Sequence, residues 1–154
     1  VAHDCVIEDN VILGNNVLLA GHVRIENGAI ISGGAAVNHY VTIGTMSMVG
    51  GMSRVVKDVP PFMTLEGSPA RVRGVNVVGL KRHDIPTETI RQLRNAFRKL
   101  FYDDAPSALT LDEIEAVESL TPEVLRLVSF LRDMEKGYQG RYREALRRPP
   151  QQGA

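Results

Sequence analysis

Val1, Ile7, Leu13, Leu19, Ile25, Ile31, Val37, Ile43, Val49 and Val55 stand six residues apart, dividing the first sixty residues into ten hexads with an aliphatic in the first place. An unbroken period of six is the sequence signature of a parallel β-helix. Each hexad can supply one short strand and a corner, three hexads close one triangular coil, and residues eighteen apart then stack at about one strand spacing, ~4.8 Å. The fifth place reads Cys5, Val11, Val17, Val23, Ala29, Ala35, Val41, Ser47, Ser53 and Val59. A second inward stripe of small and medium residues suits a narrow core. All ten aliphatics are expected to be buried and Cys5 to be a buried structural thiol; a lone cysteine excludes a disulfide framework.

The same arithmetic places polar residues. His3, Gly21 and His39 take the third place of hexads eighteen residues apart, with Asp4, His22 and Tyr40 beside them in the fourth. Three of the four histidines therefore share one edge, and His3 and His39 stand ~10 Å apart on it. His3 with neighbouring Asp4 suits a general base and its supporting carboxylate, a pairing that a coil corner allows. Gly21 has no side chain to keep a substrate from its N–H, as an oxyanion donor requires. His22 is a possible substrate contact. A zinc site built from His3, His22 and His39 is disfavoured, because ligands spread over ~10 Å cannot share one ion at about 2.1 Å. His39 is as well suited to a structural hydrogen bond as to a substrate.

No stretch approaches the apolar length of a membrane span, and the zero formal charge does not suggest nucleic-acid binding. The charge is uneven, however. Between Lys81 and Lys99 six cations (Lys81, Arg82, Arg91, Arg94, Arg98, Lys99) face only two acids, Asp84 and Glu88. Such a patch is either a solvated helix face or a surface for a phosphate-bearing or acidic partner.

The hexads are expected to end at Pro60-Pro61, where two residues lack the ladder N–H. Residues 61–83 read as a loop-rich cap with a turn at Gly67-Ser68-Pro69 and a short strand near 75–78. Residues 84–137 read as a helical domain packed on the open end of the prism. Its helices run from about Thr87 to Tyr102, from a capping box at Thr110 to Glu113, and from Thr121 with Pro122 at the first helical position. The polar, Arg-rich residues 138–154 are expected to be disordered. The chain opens on Val1 in mid-pattern, and an uncovered stack of about three coils would invite association. It is therefore expected to be the C-terminal part of a longer protein.

The runs Ala2-His3-Asp4-Cys5, Leu19-Ala20-Gly21-His22-Val23, Val49-Gly50-Gly51, Asp58-Val59-Pro60-Pro61, Gly74-Val75-Asn76 and Gly79-Leu80-Lys81-Arg82 resemble the acyl-ACP–UDP-N-acetylglucosamine O-acyltransferases of lipid A biosynthesis. The resemblance implies a left-handed β-helix of hexapeptide repeats followed by a C-terminal α-helical domain, assembled as a cytoplasmic homotrimer with active sites between prisms. It implies transfer of a 3-hydroxyacyl group from acyl carrier protein to the 3-hydroxyl of the UDP-sugar, with the phosphopantetheine thioester as substrate and no metal or other cofactor. On that pattern His3 resembles the base, Asp4 its carboxylate and Gly21 the oxyanion donor. His22 and His39 fall at substrate contacts, Gly51 at the position limiting acyl length, and Asn76 and Arg82 at nucleotide contacts. Arg91, Arg94, Arg98 and Lys99 are read as the carrier-protein docking face.

Asn38-His39, Pro69, Val78 and His83 depart from that pattern, all on sugar or nucleotide recognition. Two other readings stay open: an N-acyltransferase acting on a related amino-sugar nucleotide, and a non-catalytic trimeric β-helix scaffold or inactive fragment.

Overall fold

The computed structural model describes residues 1–101 and 108–147. Nine two-residue strands open the chain, each joining the last residue of one hexad to the aliphatic of the next: β1 (Val6–Ile7), β2 (Ile12–Leu13), β3 (Leu18–Leu19), β4 (Arg24–Ile25), β5 (Ile30–Ile31), β6 (Ala36–Val37), β7 (Thr42–Ile43), β8 (Met48–Val49) and β9 (Arg54–Val55). They form three parallel ladders eighteen residues in register, carrying Ile7–Ile25–Ile43, Leu13–Ile31–Val49 and Leu19–Val37–Val55. The result is a triangular β-solenoid of about three coils.

Each coil turns at a left-handed backbone residue. Asp4, Asn10, Asn16, His22, Gly28, Gly34, Tyr40, Met46 and Met52, the fourth places of nine successive hexads, all have φ between 51° and 72°. Asn, Asp and Gly enter this region readily, whereas His, Tyr and Met are held there by the ladders on either side.

Ile25, Ile31, Ile43 and Val49 are fully enclosed, and fifth-place Val23, Ala29, Ala35 and Val41 complete the core. The expectation for all ten aliphatics fails in the first coil. Val1 is 72% exposed and Ile7 42%, Leu13 is half-buried, and Cys5 is likewise only partly covered, because their inward sides face the open end of the stack. Cys5 Sγ donates to Ala20 O at 3.2 Å.

The coil does not stop at the prolines. Strand β10 (Met63–Gly67) joins β8 in parallel, Thr64 opposite Met48 and Leu65 opposite Val49, a spacing of sixteen rather than eighteen. Val59 already bridges Ile43 at the same spacing of sixteen, so the last coil is two residues shorter between Val55 and Val59, and the ladder continues past the proline pair. β10 then turns into antiparallel β11 (Ala70–Val75), so 61–83 is a hairpin followed by a short helix, not a loop-rich cap. Of the strand expected near 75–78 only Val75 is in one, as the end of β11; Val77 and Val78 open helix α1 (Val77–Arg82), started by Asn76, whose Oδ1 accepts from Gly79 N–H.

Helix α2 (Thr87–Phe101) packs on β11, and α3 (Ala108–Glu115) and α4 (Pro122–Lys136) pack with α2. The hairpin therefore covers the end of the stack and the helices lie over the hairpin, a correction to helices sealing the open prism. Tyr102 lies outside the described residues. Helix α3 begins before Thr110, so the expected capping box falls inside its first turn. Thr121 and Pro122 do open α4.

The largest departure is at the C-terminus. Residues 138–147, expected to be disordered, fold back onto the prism and include helix α5 (Tyr142–Ala145); residues 148–154 lie outside the described residues. Asp58 supplies the anchor. Its N–H donates to Gly140 O at 2.9 Å, and its carboxylate accepts from Thr42 N–H and Tyr142 N–H, both at 2.8 Å. The Arg141 guanidinium is buried, bonded to Val56 O at 2.8 Å and to Glu144 at 2.6 Å.

Burial pushes the Asp58 carboxyl up to about 6, against the two N–H donors and the charges of Arg141 and Arg143. The folded state then holds this proton more tightly than the unfolded state, so the contribution of Asp58 to stability falls as pH rises from about 4 to about 6 and is constant above. Urea unfolding of the protein and of Asp58→Asn over that range is the check. Relative to the variant, the wild type should lose stability as pH rises; a constant difference would show that Asp58 does not titrate there.

Candidate active site

His3 and Asp4 occupy one corner, and the left-handed backbone at Asp4 (φ 58°) lets adjacent side chains meet. His3 Nδ1 lies 2.8 Å from Asp4 Oδ2. The His3 hydrogen bond holds the Asp4 carboxyl below its ordinary range, with further help from the charges of His22 and His3, against desolvation. An ionised Asp4 only accepts, so the bond assigns the proton to Nδ1 and leaves Nε2 as the basic atom.

One coil above, Gly21 explains itself sterically. A Cβ on it would lie 2.6 Å from His3 Cε1 and 2.7 Å from Nε2, so the missing side chain makes room for the imidazole. Its N–H stands apart from the ladder. Ala20 and His22 both donate to neighbouring coils, but among the described residues Gly21 N–H has no acceptor. The third-place N–H groups on the next corner show what this position binds: Asn27 N–H donates to Glu8 Oε2 at 3.1 Å and Thr45 N–H to Glu26 Oε2 at 2.9 Å. The corner thus holds a negative oxygen outside the coil, and at Gly21 that spot lies beside His3.

His22 Nε2 is 3.8 Å from the same Asp4 oxygen. Its ring meets His3 edge-on, centroids 5.0 Å apart, and stacks on Tyr40 at 4.5 Å and 8°. His3, Asp4 and His22 bring one potential ligand atom each to within 4.8 Å of one another. The group gathered is therefore this one, not the three imidazoles of the zinc reading.

His39 turns away from the group, with Nε2 3.2 Å from Glu144 Oε1 on α5 and its ring edge-on to Tyr40. Gly51 lies on another corner, against Gly33. Asn76 is buried with both ends of its amide engaged, Nδ2 donating to Met46 O at 2.9 Å and Oδ1 capping α1. It therefore holds the helix whose exposed last turn carries Arg82. On α2, Arg91 is paired with Glu88 at 2.6 Å, Arg94 and Arg98 line a groove with Val75 and Phe97, and Lys99 and Arg98 border a second groove on the α3 side.

Sequence reasoning missed Arg143, Glu144 and Arg147. Arg143 Nη1 donates to His22 O at 2.6 Å and the Arg147 guanidinium lies 5.3 Å from the Tyr40 ring centroid. Contacts across more than a hundred residues of chain leave no periodic trace.

Comparison with known proteins follows this geometry. Residues 58–139 match the family model described as UDP N-acetylglucosamine O-acyltransferase, domain 2. Acyl-[acyl-carrier-protein]–UDP-N-acetylglucosamine O-acyltransferases are similar along most of the chain. That of Synechocystis is 49% identical over 114 residues, covering 74% of this chain and 41% of the relative, and that of Gloeothece citriformis is 46% identical over 131 residues, covering 85% and 47%. The chain spans about half the length of the curated relatives it matches. Among solved structures, LpxA from Acinetobacter baumannii superposes with a TM-score of 0.79 at 35% identity, covering 86% of this chain and 52% of that one. The Arabidopsis UDP-N-acetylglucosamine acyltransferase gives 0.79 at 35% identity, covering 90% and 49%.

Gly21→Ala tests the steric role. Its Cβ would meet the tip of an exposed side chain, so the melting temperature should change by only about 2 °C or less while the imidazole signals of His3 shift in a long-range proton–nitrogen spectrum. Unchanged His3 signals would show that the ring does not rest on Gly21.

Proposed function

The chain belongs to the UDP N-acetylglucosamine O-acyltransferase family, and from that premise we propose that the protein transfers a 3-hydroxyacyl group from acyl carrier protein to the 3-hydroxyl of UDP-N-acetylglucosamine in lipid A biosynthesis. The observation that carries the proposal is the His3–Asp4 pair with its basic nitrogen against Gly21, whose N–H has no acceptor among the described residues.

In this reading His3 Nε2 takes the proton of the sugar hydroxyl as its oxygen attacks the thioester carbonyl. The Gly21 N–H receives the developing oxyanion, as Asn27 and Thr45 receive carboxylates. Asp4 fixes the tautomer and stabilises the imidazolium. The tetrahedral species collapses, expelling the phosphopantetheine thiolate, to which the imidazolium returns the proton. No metal or other cofactor is needed. His22 beside Asp4 is read as a substrate contact. Asn38-His39 and the engaged Asn76 move sugar and nucleotide recognition toward Arg82.

The histidine group, Gly51 and the Arg82 helix stand on different corners of one prism. Neighbouring copies would bring unlike corners face to face, which supports a homotrimer of left-handed prisms with sites between them. Residues 84–137 are then a helical domain whose α2 face, Arg94, Arg98 and Lys99 with Arg91 at its edge, docks the acidic carrier. We assign the enzyme to the cytoplasm; no helix among the described residues is long and apolar enough to cross a membrane.

His3→Ala should lower kcat by ~100- to 10,000-fold without unfolding the protein, as loss of a general base does. Near wild-type turnover in the folded variant would remove His3 from the mechanism. Charge reversal at Arg94 and Arg98 should raise KM for acyl carrier protein, more at low salt than at moderate salt, and leave KM for the sugar nucleotide unchanged. If the carrier dependence stayed the same, this face would be solvent-exposed only.

A further inference from the structure

The C-terminal segment does more than cover the prism. Within residues 138–147, three side chains reach three residues of the histidine edge: Arg143 donates to His22 O, Glu144 meets His39, and Arg147 lies over Tyr40. The segment cannot slide, because Asp58 grips its backbone at Gly140 and Tyr142 and the buried Arg141 holds Val56 O. A general packing role would call for apolar contacts, yet α5 has no buried residue.

We propose that Arg143 is a positioning residue of the active site, pinning the carbonyl of His22 and through it the ring that lies against the carboxylate of Asp4. This rests on the acyl-transfer reading above. His22 adopts φ 63°, a conformation that a residue with a β-carbon seldom takes. Its carbonyl takes no part in the inter-coil ladder, and a charged donor at 2.6 Å pins that peptide. The ring then lies between Tyr40, on which it stacks, and Asp4 Oδ2. Arg147 over the Tyr40 ring adds a cation to the same group. A His22 ring free to lean would let the carboxylate drift, and with it the imidazole of His3.

The test is a double-mutant cycle in the full chain, in the form that carries acyl-transfer activity. Arg143→Ala should lower kcat roughly tenfold with both KM values within about twofold, since a displacement of ~1 Å can cost up to a hundredfold. Arg143→Lys, which keeps one donor, should restore most of it. In a His22→Ala background Arg143→Ala should cost nothing more, because its effect runs through His22. Arg126→Ala cuts the tie from α4 to Glu26 on another corner and should leave kcat unchanged.

A readout independent of turnover is the ring-current shift of the His22 imidazole protons from the stacked Tyr40 ring, which should collapse in Arg143→Ala and persist in Arg126→Ala. Equal kcat losses with and without His22, or an intact ring-current shift, overturn the proposal. If His3→Ala left turnover intact, the acyl-transfer reading would fail instead, and the ring-current measurement would still decide whether Arg143 holds the His22 ring.

Discussion

Everything in this molecule depends on a backbone turn taken once per hexad in the left-handed region. Nine fourth-place residues adopt it, and His22, Gly28, Gly34, Tyr40, Met46 and Met52 each donate their N–H to a third-place carbonyl one coil back. The turn sets the sixfold period and keeps the strands two residues long. It also throws the third and fourth side chains of each hexad outward, together, on a corner. His3 and Asp4 are neighbours in sequence, and only this turn lets their side chains meet. The core supplies the driving force, but the corner geometry decides what the surface can do.

A functional site built on such corners uses backbone groups as much as side chains. The third-place N–H points out of the ladder, and the acids Glu8 and Glu26 take it where they can reach. At Gly21 no acid among the described residues takes it, and the imidazole of His3 fills the space a side chain would need. The same local fold is therefore self-satisfied on one corner and open to an incoming oxygen on another.

The solenoid and its histidine edge were legible because period and stacking follow from counting alone. Reading stopped where counting stopped. The β10–β11 hairpin was hidden because the coil spacing changes from eighteen to sixteen between Val55 and Val59, just before the proline pair that reads as a stop. The first coil was read as buried because the pattern says which way Val1 and Ile7 face, not whether anything lies beneath them. The left-handed corners left a trace in Asp4, Asn10, Asn16, Gly28 and Gly34, obscured by His22, Tyr40, Met46 and Met52. Residues 138–147 look like a disordered tail by composition, since they hold to the prism through polar and charged bonds rather than an apolar stripe. Arg143 and Glu144 could be assigned to the edge only once Asp58 was seen to draw that segment back.

The eighteen-residue register also governs which changes of length the chain can tolerate. A single residue gained or lost between His3 and Gly21 would put every later hexad out of phase, turning inward residues outward and moving the corner glycine off the imidazole. Six residues would restore the burial pattern but carry Gly21 to the next corner; only a whole coil returns it to the same edge, and then one storey away from its partner. Variation along this edge is confined to substitution, and changes in length belong to the chain beyond Val55, where the spacing itself falls to sixteen.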